Sequence, residues 1–302
     1  MVVHPARGLG SLASSTRGVS HGSAMEETVE GPERMHLLRL HFAVALSGFR
    51  RYATYRVATA AGVFTNTVFG FILAHTFLAL WHERPHLGGY DQSQALTFVW
   101  TGQALLAAAA LMGGGFQDEF QERIRNGDVA IDLYRPVDLQ TWWLAADLGR
   151  ALFQLLGRGV LPLALGSLVF DLALPASLGT WLWFLAAVLL AIVVSFAVRY
   201  LFALCGFWLL DATGLGALSG LLSVFFSGML LPLSVFPGGF GDAARLLPWA
   251  AMLQVPADVL LGTHPGGAAA GLAFQAGWAV VLLAAGRLLQ AVATRKVVVQ
   301  GG

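Results

Sequence analysis

The side chains best suited to polar chemistry are concentrated between residues 116 and 139 of this 302-residue chain. Charged residues recur throughout the stretch, at Asp118, Glu119, Glu122, Arg123, Arg125, Asp128, Asp132, Arg135 and Asp138. Apolar segments long enough to cross a bilayer flank it on both sides, and charge is costly in hydrocarbon. The stretch must therefore form a loop at one membrane face, and its size and organisation suit docking rather than mere connection.

A helix is predicted within this stretch. Phe116, Phe120 and Ile124 repeat every four residues and so share one helical face. Asn126-Gly127 should end the helix, because glycine accepts left-handed geometry. A second short element could pack through Ile131, Leu133, Tyr134 and Val137. Loops of this length are usually functional or disordered, and the apolar repeat argues against disorder.

Residue patterns that would support catalysis are weak in this sequence. It has no His-Glu-x-x-His motif, and Gly216-Ala-Leu-Ser219-Gly220 misses the Gly-x-Ser-Gly spacing of a rhomboid-like protease by one residue. Lys296 is the only lysine, so no P-loop can form. Cys205 is the only cysteine, which excludes an internal disulfide and a cysteine-based metal cluster. We therefore predict a protein that is not an enzyme, holds no metal or cofactor itself, and needs a separate ATPase if ATP drives it.

Composition places the chain among polytopic helical membrane proteins. It is 57% hydrophobic and 12% charged, against about 25% charged in soluble domains, and its mean hydropathy is +0.69. The net charge of +1 gives no reason to expect a nucleic-acid partner. We predict an all-α fold with six transmembrane helices, at 57–80, 94–114, from after 142 to near 170, 180 to about 210, 215–231 and 267–293.

Three further segments flank or interrupt these spans. Residues 1–33 are rich in Ser, Gly and Glu without an apolar signal core, so we predict a flexible cytoplasmic tail. Residues 34–56 combine an apolar face with arginines, which favours a helix lying in the headgroup plane. Residues 232–265 are broken by prolines and glycines too often to cross the bilayer. A helical hairpin, re-entrant or interfacial, fits this last segment.

Arginine distribution predicts the orientation. With the N-terminus inside, the inner segments hold most of the basic residues, and the outer segments hold only Arg84 and Arg245. The positive-inside rule then places both termini and residues 116–140 in the cytoplasm, and the hairpin outside.

Several motifs carry a resemblance to a known family. The run 126–137, Asn-Gly-Asp-Val-Ala-Ile-Asp-Leu-Tyr-Arg-Pro-Val, resembles the Gly-x-(hydrophobic)-x-x-x-Leu-x-Arg-Pro signature of ABC-2 type exporter permeases. The stretch 227–237, followed by Leu247-Pro248 and Pro256, is similar to the family's external hairpin. Residues 295–302 resemble the ending of a branch that accompanies daunorubicin-resistance-type ATPases. The resemblance covers residues 34–302, which would form one permease domain.

The resemblance implies a mechanism and roles for particular residues. Two ATPase subunits, with ATP and Mg on them, would dock below two permease subunits, identical or related. The helix at 117–125 would be the coupling helix, and 34–56 the helix that connects to the first span. The implied coupling residues are Gln117, Asp118, Glu119, Phe120, Glu122, Arg123, Arg125, Arg135 and Pro136. The implied residues of the external hairpin or gate are Pro232, Phe236, Pro237, Pro248 and Pro256.

Two arginines fall within predicted spans. Arg199 lies inside the fourth apolar run, and Arg158 inside the third. A charge in hydrocarbon costs at least about 2.5–3.5 kcal/mol, so such residues face a partner, water or a cavity. Asp147 or Asp211 could pair with them. We favour the alternative that both side chains extend to the cytoplasmic interface.

The substrate is only loosely constrained by the sequence. Aromatic and aliphatic residues dominate the spans, which suits a hydrophobic or amphipathic drug, a lipid or a lipid-linked product. The resemblance implies export across the cytoplasmic membrane of a bacterium, in contact with its lipids. The alternative is a secondary transporter driven by an ion gradient, for which inverted repeats would be expected. No internal repeat is evident.

Overall fold

The computed structural model describes residues 30–209 and 212–300, and this part of the chain forms helices and turns without a strand. The predicted all-α class is confirmed. The α-helices are α1 Glu30–Ala53, α2 Arg56–Glu83, α3 Gln92–Ala108, α4 Phe116–Asn126, α5 Val129–Leu133, α6 Leu139–Gln154, α7 Val160–Val169, α8 Leu178–Leu204, α9 Thr213–Phe226, α10 Gly239–Leu246, α11 Gln254–Leu261 and α12 Gly267–Gln300. A π-helical turn, Leu155–Gly159, joins α6 to α7. Residues 1–29 of the predicted tail lie outside the described residues.

Four helical segments are long and apolar enough to cross a membrane by length and composition. They are Arg56–Glu83, Leu139–Val169, Leu178–Phe207 and Gly267–Arg295. Helix α9 is a shorter apolar helix, and α3 has 17 residues. The described part of the chain divides into two units between Leu40 and His41, and the helix packing that positions the site lies within the second.

Several predicted boundaries are wrong by a few residues. Helix α3 ends at Ala108 rather than near 114, because the chain turns through Ala110 and three glycines with positive φ. Helix α6 begins at Leu139, ahead of the predicted start, because the Asp138 carboxylate accepts a 2.9 Å hydrogen bond from the Thr141 amide and caps it. Helix α8 and its terminal 3-10 turn end at Phe207, and residues 210 and 211 lie outside the described part.

Helices α3 and α8 form the centre of the packing. Twelve of the 17 residues of α3 are buried, among them Trp100 and Leu105 at 0% exposure. Helix α8 packs along α12, whose fully buried Gln275 donates 2.9 Å and 2.8 Å hydrogen bonds to the carbonyls of Ala187 and Ala251. Helices α3 and α8 thus form the framework against which the charged segment, residues 116–139, packs.

The proline-rich segment between α9 and α12 folds into short helices. A 3-10 turn at Leu233–Val235 precedes α10, and a second at Pro248–Met252 precedes α11. Every residue of 250–260 is buried, with α11 packed against α8. The segment thus covers part of the span bundle instead of crossing it as one continuous helix.

Candidate functional site

Helix α4 is bounded by glycines in left-handed geometry. Gly113, Gly114 and Gly115 precede it with φ of 80°, 81° and 76°, and Gly127 follows it with φ of 81°. This region costs other residues about 1–2 kcal/mol. The predicted helix end at Asn126-Gly127 is confirmed, and the glycines fix the helix at both ends.

An aromatic cluster holds α4 against the span helices. Phe116 lies with its ring centroid 4.7 Å from that of Phe196 on α8. Phe120 is fully buried, 5.6 Å from Tyr200 in a stacked arrangement and 5.5 Å from Trp143 on α6. The four-residue repeat therefore faces the protein, as the sequence indicates, and connects α4 to α6 and α8.

Ion pairs fix the sides of α4. Arg51 on α1 donates to Glu119 at 2.6 Å, and this contact raises the pKa of Arg51. Arg123 donates two hydrogen bonds of 2.6 Å and 2.8 Å to the buried carboxylate of Asp132, which raises the pKa of Arg123. Arg135 lies 3.1 Å from Asp132 as well. These arginines and Glu119 join α4 to neighbouring elements of the same chain.

The predicted coupling residues divide into two groups. Gln117 and Phe120 are buried, and Glu119, Arg123 and Arg135 are engaged in the ion pairs. The exposed residues of the predicted set are Asp118, Glu122, Arg125 and Pro136. Glu122 and Arg125 lie 3.8 Å apart as an exposed ion pair within α4, and this second group is the one most accessible from the outer face of the segment.

Two exposed apolar residues beside α4 were not predicted as coupling residues. Ile131 is 60% exposed and Tyr134 is 89% exposed. Their spacing of three residues puts both on one side of the short α5 turn. The packing that the sequence allows for both residues does not occur, because apolar character alone does not reveal which side of a short helix faces solvent.

A buried ion cluster of Asp147, Arg150 and Arg199 lies where α6 and α8 meet. The Asp147 carboxylate accepts 2.6 Å hydrogen bonds from Arg150 and from Arg199. Arg199 and Asp147 are each 1% exposed. The favoured expectation that Arg199 extends to the interface is therefore wrong, because a carboxylate on the adjacent helix compensates its charge within the protein.

The same ion cluster reaches the end of α3 and the start of α4. Arg150 donates to the carbonyls of Ala107 and Ala108 at 2.8 Å and 2.9 Å. Arg199 donates to the Gly114 carbonyl at 3.2 Å, and its guanidinium lies 4.9 Å from the centre of the Phe116 ring. The cluster thus satisfies carbonyls that the end of a helix leaves open, and ties α4 to three span-region helices.

A cavity of about 500 Å³ opens between α4 and the start of α9. Asp118, Gln121 and Gly216 are among the residues that line it. Beside it, the amide group of the buried Gln117 has no hydrogen-bond partner among the described residues. The space lies on the exposed side of α4, opposite the aromatic cluster.

A second buried polar group lies in the segment before α12. Asp258 accepts a short hydrogen bond from the Tyr90 hydroxyl and others from Gln254, at 3.0 Å and 3.1 Å. Burial and the neighbouring carboxylate raise the pKa of Tyr90. Sequence reasoning missed this network, because Tyr90 and Asp258 are 168 positions apart.

The predicted hairpin residues surround this network without joining it. Phe236 packs 5.5 Å from Phe225 and 5.6 Å from Phe240. Pro232, Pro248 and Pro256 are buried, and Pro237 is exposed. Pro248 opens a 3-10 turn, where its fixed φ is favourable. Within the described residues, no group of three His, Cys, Asp or Glu side chains could hold a metal ion.

The spanning helices and the charged helix mounted against them define a multi-pass helical membrane protein. A family model described as an ABC-2 family transporter protein matches residues 64–301, and the chain belongs to that family. It is a permease component, a type that is generally not itself catalytic and that associates with ABC ATPases. No curated protein matches the chain.

Proposed function

We propose that this protein is the permease subunit of an ATP-driven exporter and that α4 is its coupling helix. The observation that carries the proposal is the way α4 joins two surfaces. One face is anchored on α6 and α8 by Phe116 and Phe120, and the other offers exposed charge to solvent. If a docked ATPase displaces a helix that is anchored in this manner, the helix can transmit that displacement to the span helices.

The docking surface that we propose combines charge with an aromatic anchor. Asp118, Glu122 and Arg125 are exposed along α4, and Ile131 and Tyr134 are exposed beside it. Protein interfaces concentrate binding energy in tyrosine and similar anchors surrounded by polar residues. The surface therefore suits a groove with an apolar floor and charged rims on an ATPase subunit.

The ion cluster would carry the motion further. Arg199 donates a hydrogen bond to the Gly114 carbonyl just before α4, and Arg150 donates one to the Ala107 carbonyl at the end of α3. Because both arginines share Asp147, a shift of α4 changes the position of α3 and α8 together. In this way, closure of the two ATPase subunits around ATP and Mg would switch the transport pathway from inward to outward access.

The wider assembly is part of the proposal. Helices α3 and α9 would complete six spans, with both termini in the cytoplasm of a bacterium and α10–α11 outside. Two permeases, identical or related, would enclose the pathway, and the ATPase partners would be of the daunorubicin-resistance type. The abundance of apolar residues in the spans favours a hydrophobic or amphipathic substrate, such as a drug or lipid.

Affinity purification of the tagged protein from native membranes tests the assembly. We expect an ATPase with a P-loop to be retained in stoichiometric amount. Glu122→Arg and Tyr134→Ala should each weaken its retention, by about thirtyfold where the replaced residue contributes about 2 kcal/mol. The matched control is Asp171→Arg, an exposed carboxylate in the loop between α7 and α8, which should change nothing.

Two results would contradict the proposal. A chain that purifies alone and transports under an ion gradient without ATP would be a secondary transporter. Retention of the ATPase by both α4-region variants, equal to that of the wild type, would remove α4 and α5 from the docking surface.

A further inference from the structure

Arg158 is a charged residue in a span that has no ionic partner among the described residues. It lies in the π turn between α6 and α7 and is partly exposed. The structure gives it no ion pair or hydrogen bond within the described residues, and its Nε atom is buried without a partner. This contrasts with Arg150 and Arg199, which share Asp147. An isolated guanidinium in a span costs free energy unless something outside the chain neutralises it.

The position of the guanidinium is set by Gly62 on α2. A methyl group on Gly62 would overlap the Nε, Cζ and Nη2 atoms of Arg158, so the glycine creates the space in which the charge lies. Gly62 is six residues from Arg56, the first residue of α2, and this corresponds to about 9 Å along the helix. The guanidinium therefore lies nearer to the Arg56 end of α2 than to its Glu83 end.

The elements that pack around this charge also expose apolar side chains. Leu156 is 55% exposed, Val160 52% and Leu161 49%, and Phe64 on α2 is 71% exposed. A cation on a surface that also exposes apolar groups matches a molecule with a phosphate at one end and acyl chains at the other. A free phosphate would leave these apolar groups without a partner.

The described spans of a second copy offer no suitable anion. Within the four described spans, the carboxylates are Asp147, which is buried and paired, and Glu83, at the opposite end of α2. Lipid phosphate is the anion that a membrane offers to an arginine side chain near the end of a span. We infer that Arg158, where the α6–α7 junction packs against Gly62 of α2, binds the phosphate of an anionic phospholipid.

Lipid binding to the purified full-length protein tests this inference. Native mass spectrometry would be used to titrate dioleoyl-phosphatidylglycerol, dioleoylglycerol, which has the same chains without phosphate, and inorganic phosphate. We expect saturable binding of phosphatidylglycerol alone. Arg158→Gln should weaken it by about tenfold or more, because a charge-assisted hydrogen bond is lost.

Two variants keep the result interpretable. Arg158→Lys retains the charge without the planar guanidinium and should bind the lipid with intermediate affinity. Arg84→Gln, at the exposed far end of α2, should bind as the wild type does. Equal affinity of wild type and Arg158→Gln would overturn the inference. Equal binding of inorganic phosphate would overturn it as well, since the site would then be a free-anion site.

Discussion

At the scale of single residues, the molecule treats its intramembrane arginines in two ways. Arg199 is neutralised within the chain by Asp147, whereas Arg158 faces the outer surface without a described partner. In both cases the positive charge needs a partner, because an uncompensated charge in hydrocarbon is costly. The two arginines also differ in their contacts. Arg199 donates a hydrogen bond to the Gly114 carbonyl beside α4, whereas Arg158 is available for the proposed lipid phosphate.

Asp147→Asn should destabilise the folded protein strongly. The substitution leaves Arg150 and Arg199 buried without a counter-charge, and the loss of one partner of a buried pair costs about 3–5 kcal/mol. Unfolding in detergent measures the change. The control is Glu122→Gln on exposed α4 surface, which should shift the free energy of unfolding by no more than about 0.5 kcal/mol. An unfolding midpoint equal to that of the wild type would show that Asp147 is not the compensating charge.

At the scale of elements, α4 is a short helix whose stability comes from its anchoring. Eleven residues are marginal as an isolated helix in water. Its position depends on aromatic contacts with α6 and α8 and on its ion pairs to α1 and α5. The glycines on either side allow it to leave the direction of the spans sharply.

Phe120→Ala should loosen α4 while the span helices stay folded. The removal of a fully buried phenyl ring should lower the free energy of opening of this helix by about 3 kcal/mol. Hydrogen–deuterium exchange of the peptides that cover 116–126 measures this opening, with α8 as internal reference. Gln121→Ala, half-buried on the same helix, should leave exchange unchanged. Equal protection in both variants would mean that the aromatic cluster does not anchor α4.

At the scale of the whole molecule, the outer surface of the bundle is apolar. Val57, Leu168 and Val280 are 86%, 81% and 68% exposed, on three different spanning segments. A bilayer would cover such side chains. Charge is concentrated at the ends of the spans and in the α4–α5 region, where water is available.

The proposed orientation predicts which end of the spans is accessible from outside. Because Cys205 is the only cysteine, Cys205→Ala provides a background for single labelled positions. In that background, Asp171→Cys should react with an impermeant maleimide in intact cells. Asp118→Cys should react only after permeabilisation. Labelling of both positions from the same side would contradict the orientation.

The sequence by itself determined the helical membrane class, the approximate position of four spans and the helix at 116–126. These features depend on hydropathy and on residue spacings within one segment, which neighbouring parts of the chain hardly alter. The boundary at Gly127 was equally local, since one residue in left-handed geometry ends the helix.

Only the tertiary structure decided which polar groups meet. Asp147 and Arg199 are 52 positions apart, and Tyr90 and Asp258 are 168 apart. Their pairing depends on which helices pack together, and hydropathy does not encode that choice. The exposure of Tyr134 and the unpaired state of Arg158 have the same cause. The surroundings of a side chain come from segments that are distant in the sequence. Only the packed molecule therefore decides whether a polar or apolar side chain contacts the rest of the chain or remains available to a partner.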